Sequence, residues 1–385
     1  MKVSFYRFPT QVIFGESSLG EIGNFVPGLG GRCLLVTGCG PTSRHPGLKT
    51  LKEILRESGK AAIHFHEVDG DPDIETVEKG VELARGEECD FVIAFGGGSP
   101  LDTAKIIAAK MNNPDDDISS WEGVGKIKKK PIPLICVPTT AGPGSEATGT
   151  AVIRGGRDKR KMAIVSRHLF PYLSVVDPTL TYSLPPELSA ETGMDALAHA
   201  VESYVAKRAW GPTRALSRQA VRLIFTHLER ACEDGEDREA RRSMCMASFM
   251  AGMASDNAGL GLVHALSHAL GGRYGVPHAK ADALLLPHVM RFNLESCPEL
   301  YRDLAEAMGR DTAGKTPAKG AEEAVKAVEE LASVLPLPRS LAELGIVPQS
   351  IESLAAEAFL FTRFRFSNPR ETVLEDLAAV LEEAV

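Results

Sequence analysis

Apolar positions in the first half of the chain come in short runs, each followed by a longer stretch with helical spacing. Cys33–Thr37 (CLLVT), Ala61–Val68, Phe91–Phe95 (FVIAF), Ile132–Val137 and Leu173–Val176 read as strands. Near-continuous apolar character is what a strand covered on both faces requires. Leu48–Ser58 and Ile74–Arg85 have the periodicity of helices, and Asp71-Pro72-Asp73 offers the second a cap and a nearby proline. A third helix is expected from about Pro100 to Lys110. This alternation predicts a parallel sheet with helices on both faces. Ala147–Val165 interrupts it and reads as an antiparallel excursion turning at Gly155-Gly156.

The pattern changes at Pro185-Pro186. Glu191–Ala206, Gly211–Arg230, Arg241–Ala254 and Gly261–Leu270 follow one another at helical spacing, and strand signals become scarce. The expected organisation is therefore an α/β domain over residues 1–185 and an all-helical domain over residues 186–385.

Composition narrows the class of partner. The 385 residues carry a net charge of -8, which argues against a nucleic-acid ligand, since phosphate binding wants a basic face. The seven cysteines include no C-x-x-C pair and are odd in number; they read as reduced thiols of a cytoplasmic protein rather than a disulfide framework or a thiolate zinc site. The N-terminus lacks an apolar stretch of signal-peptide length, and no apolar run approaches the ~18 residues of a membrane span.

Candidate chemistry sits mostly in the helical half. Asp195 and His199 are four residues apart among Ala, Leu and Val, so they share one buried helix face. His264 and His268 repeat that spacing in GLVHALSHALGG, and His278 follows a glycine-rich turn. Each histidine alone reads as readily as a satisfied core or surface residue. Together they would need several separate buried partners, which a shared ion supplies at once. A carboxylate with imidazoles suits Fe(II), Zn, Mn or Co, with a position left for substrate, and affinity order alone favours zinc over iron. Spacing does not decide which of the histidines would bind.

In the first half, Gly96-Gly97-Gly98-Ser99 joins a strand to a helix, where glycines let a backbone approach a pyrophosphate and the helix N-terminus favours its charge. A structural turn explains that unit equally well. Asp102 and Lys105 follow on the same helix, and Asp102 could serve only as a first-turn acid. Thr139 and Thr140 close another strand, at the end where open sheets bind ligands.

Taken jointly, GGGSPLD (Gly96–Asp102), PTTAG (Pro138–Gly142), TGMDALAHAVE (Thr192–Glu202), GLVHALSH (Gly261–His268), Pro277-His278 and LPHVMRFN (Leu286–Asn293) resemble the iron-containing, or group III, alcohol dehydrogenases. The resemblance implies a dinucleotide-binding α/β domain and an all-helical metal-binding domain, an architecture shared with dehydroquinate synthases. It implies Fe(II), with zinc as the alternative, held by Asp195, His199, His264 and His278. Gly97, Gly98, Ser99, Thr139, Thr140 and Lys161 match cofactor contacts, and His268 matches a residue near the substrate that is not a ligand and is a candidate proton relay. The implied reaction is hydride transfer between NAD or NADP and a small alcohol or aldehyde, in a homodimer or larger homo-oligomer.

Departures from the family pattern shape finer expectations. Gly38 stands where many NAD-using members carry an aspartate that would hold a ribose hydroxyl and repel a 2′-phosphate, so NADP is expected over NAD. Pro143 replaces a common threonine, and Asp71 stands where asparagine is frequent. Thr150 and Ser255 occupy positions that are often Asn and Phe around the substrate, which predicts a wider, more polar pocket. Three alternatives remain: a glycerol-dehydrogenase-like polyol dehydrogenase, which lacks the fourth ligand that His199 supplies; a metal-dependent hydrolase, which would leave the GGGS unit unexplained; and a non-catalytic metal- or nucleotide-binding protein.

Overall fold

The computed structural model describes residues 4–155 and 160–385. Two compact units emerge. One comprises Phe8–Thr140 and Gly144–Tyr182; the other takes Ser183–Val385 with Ala141–Pro143 and the N-terminal residues through Arg7.

The first unit is built on strands β1 (Gln11–Phe14), β2 (Arg32–Gly38), β3 (Ala61–Val68), β4 (Phe91–Gly96), β5 (Gly123–Val124), β6 (Leu134–Pro138), β7 (Thr150–Gly155), β8 (Arg160–Val165) and β9 (Leu173–Val176). Its main sheet has the order β1-β9-β6-β4-β2-β3 and is parallel throughout. Helices α1 (Ile22–Phe25), α2 (Pro46–Glu57), α3 (Ile74–Gly86) and α4 (Gly98–Asn112) connect the strands. Side chains alternate across a strand, so β2 and β4 feed two cores. Leu34, Val36, Val92 and Ala94 meet Val77, Val81 and Ile107 of α3 and α4 on one side. Cys33, Leu35, Phe91 and Ile93 meet Leu48, Leu51 and Leu55 of α2 on the other. The smaller sheet is β5-β8-β7, with β7 and β8 antiparallel as the excursion predicted. The expected turn there includes Gly156, which lies outside the described residues.

Helix α3 starts at Ile74 as expected, capped by Asp73, whose side chain accepts from the Thr76 N–H at 2.9 Å. One boundary moves. Helix α4 begins at Gly98, two residues before the expected Pro100, because the backbone turns at Gly96 with φ +154. A Cβ at Gly96 would also stand 2.8 Å from Pro100 Cγ, so glycine is required there on both counts. Strand β1, which the hydrophobic pattern did not suggest, pairs with β9 at the sheet edge and is only half covered.

The second unit is helical: α5 (Pro186–Val205), α6 (Gly211–Glu233), α7 (Arg238–Ala258), α8 (Leu262–Tyr274), α9 (His278–Asn293), α10 (Pro298–Ala307), α11 (Pro317–Val334), α12 (Ile351–Leu360), α13 (Thr362–Ser367) and α14 (Leu374–Glu382). Helix α5 is buried on every face from Ser189 to Val205, the signature of a central core helix. Its Gly193 lets α6 come close: a Cβ there would lie 2.2 Å from Leu228 Cδ1. No helix is long and apolar enough to cross a membrane among the described residues.

Candidate metal and cofactor sites

Three helices of the second unit bring Asp195 and His199 (α5), His264 (α8), and His278 and Asp282 (α9) to one place. The i, i+4 spacing on α5 and again on α9 sets each pair on one face. Ligand-capable atoms of Asp195, His199, His264 and Asp282 all lie within 4.8 Å of one another, and all four residues are buried. His199 Nε2 is 3.3 Å from His264 Nε2. His278 joins this group through its Nε2, 3.3 Å from Asp282 Oδ2.

The opposite nitrogen of each imidazole is held by a different protein group. His199 Nδ1 faces its own helix's Asp195 carbonyl at 2.9 Å. His264 Nδ1 lies 2.7 Å from Glu202 Oε2, and Glu202 Oε1 accepts the Val263 N–H at 2.7 Å. His278 Nδ1 is 3.1 Å from Ser267 Oγ. Engaging Nδ1 directs the Nε2 lone pair inward, the arrangement that metal-binding histidines use.

The electrostatics suit a cation. Burial alone would lower the His264 pKa, but the carboxylates of Asp282, Glu202 and Asp195 outweigh it and raise the imidazole to about 9. Burial raises Asp282 to about 7 against the pull of His264. Asp195 goes the other way: burial opposes ionisation, but His199 and His264 hold its carboxyl below the ordinary range. Asp195 Oδ1 and both oxygens of Asp282 are buried without an aligned hydrogen bond among the described residues. A buried carboxylate so placed is costly unless a positive charge meets it, so the residues present fit a divalent ion.

Glu202, which sequence reasoning passed over as a site residue, orients His264. Replacing Glu202 with Gln is expected to weaken metal affinity about 10- to 100-fold while leaving the Nε2 donors in place; equilibrium dialysis against a divalent metal measures it, and unchanged affinity would remove Glu202 from this role. His268 is buried beside His278, with ring centroids 5.2 Å apart. Phe361 and Phe364 meet it edge-on at 5.5 and 5.1 Å, and Phe364 also borders His264. These aromatics come from α13 and the residue before it, where no motif pointed. Ser255 lies on α7 and turns its hydroxyl back to the Gly252 carbonyl at 3.1 Å.

The predicted cofactor residues gather in the first unit, at the carboxyl ends of adjacent strands. Gly38 ends β2; Gly97, Gly98 and Ser99 follow β4; Thr139 and Thr140 follow β6. The chain runs from β2 outward to β3 and returns to β4 on the other side, so Gly38 and the glycine turn flank the point where the winding of the sheet reverses. The free N–H groups of α4 open there, with Gly97 as a cap that contributes no side chain. Ser99 donates its hydroxyl to the Gly70 carbonyl. Lys161 on β8 pairs with Asp71 at 3.1 Å.

Asp102 is drawn inward. Its Oδ2 accepts the Val152 N–H at 2.8 Å, and its Oδ1 accepts from Ser145 Oγ. Lys105, fully buried, donates to Ser145 Oγ at 2.6 Å, Thr148 Oγ1 at 3.0 Å and the Thr150 carbonyl at 2.6 Å, with Asp102 Oδ1 at 3.4 Å. The pair ties α4 to β7.

Comparison with known proteins spans both units. Residues 9–178 match the family described as iron-containing alcohol dehydrogenase, and residues 189–385 match the C-terminal part of the Fe-containing alcohol dehydrogenase family. The chain is 37% identical over 381 residues to an NAD-dependent methanol dehydrogenase of Bacillus methanolicus, covering 99% of each. It is 39% identical over 382 residues to a 1,3-propanediol dehydrogenase of Citrobacter freundii, covering 98% of each. A solved structure of 1,3-propanediol oxidoreductase superposes with a TM-score of 0.96 at 36% identity, over 100% of both chains. Matches of this extent leave neither a hydrolase nor a glycerol-dehydrogenase-like enzyme as the favoured reading, and the chain belongs to the iron-containing alcohol dehydrogenase family.

Proposed function

We propose that Asp195, His199, His264 and His278 hold one Fe(II) ion, with zinc as the alternative, and that the enzyme interconverts a short primary alcohol or diol and its aldehyde by hydride transfer with NAD. The observation that carries this reading is the set of three imidazoles whose Nδ1 atoms are each engaged, with the Nε2 atoms of His264 and His278 facing the buried Asp282 carboxylate and that of His199 facing His264. Such an ion supplies Lewis acidity to an alcohol or carbonyl oxygen. The protein's own contribution is orientation and charge: Asp195 brings a fixed negative charge, Glu202 holds His264 in register, and Ser267 holds His278. His268 takes up and releases the alcohol's proton, and Phe361 and Phe364 keep water from its ring.

The cofactor side rests on backbone. Gly97, Gly98 and Ser99 receive the pyrophosphate at the start of α4, Thr139 and Thr140 offer hydroxyls beside it, and Lys161 adds a cation. Asp102 acts at one remove, by fixing α4. Residues 1–185 form the dinucleotide-binding domain and residues 186–385 the metal-binding domain. The argument from Gly38 for NADP gives way to NAD. A relative matched along its whole length is named as NAD-dependent. A Cβ at Gly38 would make only ordinary contacts, 3.5 Å to the Val68 carbonyl oxygen and 3.8 Å to Pro100 Cγ, so the glycine is not kept for lack of space. A cytoplasmic homodimer or higher homo-oligomer completes the proposal, supported on the first point by seven cysteines that form no disulfide among the described residues.

The test is NADH and NADPH oxidation with short and functionalised aldehydes, after loading with Fe(II) or Zn(II). We expect NADH to be used with the higher kcat/KM and short aldehydes to be preferred. A preference for NADPH would restore the Gly38 argument, and equal turnover after metal removal would defeat the metal reading.

A further inference from the structure

We propose that Asp282 is a fifth protein ligand of the metal, so that the ion sits between two carboxylates rather than one. This rests on the metal centre proposed above.

The geometry separates the two remaining acids near the histidines. Glu202 spends one oxygen on the Val263 N–H and the other on His264 Nδ1, which makes it an outer support. Asp282 is fully buried, yet neither oxygen has an aligned hydrogen bond among the described residues. Its Oδ2 lies 3.6 Å from His264 Nε2 and 3.3 Å from His278 Nε2, and it belongs to the set of ligand atoms within 4.8 Å of one another. Asp282 Oδ2 thus faces the ring nitrogens of two histidines, with the His264 separation beyond hydrogen-bond length, and a cation between them would satisfy nitrogen and carboxylate together. Placed one turn after His278 on α9, Asp282 repeats the carboxylate–histidine pairing of Asp195 and His199 on α5 with the order reversed.

Two carboxylates and three imidazoles make five protein donors. That leaves one position of an octahedron for substrate oxygen and counters the ion's two positive charges. The added oxygen donor shifts preference from four-coordinate Zn(II) towards six-coordinate ions such as Fe(II) or Mn(II).

The test uses Co(II) as the probe, because its visible absorption strengthens as coordination falls from six towards four. Metal-free wild type and Asp282→Asn are titrated with Co(II). We expect the variant to bind at least about tenfold more weakly and its bands to intensify. Equal affinity with an unchanged spectrum would overturn the role of Asp282 while leaving the metal centre intact. Failure of the wild type to take up Co(II) would overturn both. Should Asp282→Asn not fold, a crystal structure of Co(II)-loaded wild type decides: an Asp282 oxygen about 2.0–2.2 Å from the ion supports the proposal, and one beyond about 3.5 Å defeats it.

Discussion

Replacing His264 with Ala is expected to strip the protein of metal and to lower kcat/KM by about a thousandfold or more, the scale of several kcal/mol of lost transition-state stabilisation. The effect is large because three things fail together. One Nε2 donor disappears. Glu202 Oε2 loses the ring nitrogen 2.7 Å away and is left as a buried charge facing a void. Asp282 loses the group that most offsets its charge, and Asp195 loses the second of its two offsetting imidazoles, after His199. Asp195→Ala should match it in metal loss. Metal content per chain after gel filtration, measured beside NADH-dependent aldehyde reduction, checks both variants. Full activity in metal-free His264→Ala protein would sink the metal reading.

The second large effect is on stability. Lys105→Ala should destabilise the first unit by about 3–5 kcal/mol, the usual penalty for removing one partner of a buried pair. The ammonium is inaccessible to water and serves two hydroxyls, a carbonyl and a carboxylate. Its loss leaves Asp102 ionised in a poorly solvated position and loosens α4 from β7. A lowered urea midpoint with metal content retained is the expected pair of results, because Lys105 and the metal residues belong to separate units. An unchanged midpoint would mean that water replaces the ammonium at little cost.

Much of the architecture was readable because period and burial coincide. Ala61–Val68 and Leu173–Val176 appear as strands with those same limits, since each run is bounded by turn residues. Strand β1 escaped because Gln11 and Val12 are exposed and the pairing that makes it a strand is with β9, far along the chain. The start of α4 was placed late because glycine propensity argues against helix, whereas here glycine serves the turn at Gly96 and the first helical turn together.

Site residues divide along the same line. Asp195–His199 and His264–His268 were visible as repeated spacings within single helices. Which nitrogen faces which depends on how α5, α8 and α9 meet, and that is long-range packing. Asp282 carried a usable signal, being four residues after His278 in an apolar stretch, but Pro277-His278 reads as a turn and hides the helix that follows. Phe361 and Phe364 had no such signal, since only tertiary structure brings α13 to His268.

The three imidazoles, identical as residue types, are made unequal by what holds their outer nitrogens. The Glu202 carboxylate lies beside His264 Nδ1, the carbonyl and carboxylate oxygens of Asp195 lie beside His199 Nδ1, and a serine hydroxyl, the weakest of these, lies beside His278 Nδ1. His278 also keeps 26% of its side chain exposed, whereas His264 keeps 2%. Were an ion held here and then drawn off by a chelator, His278 would be the donor expected to open first and His264 the last.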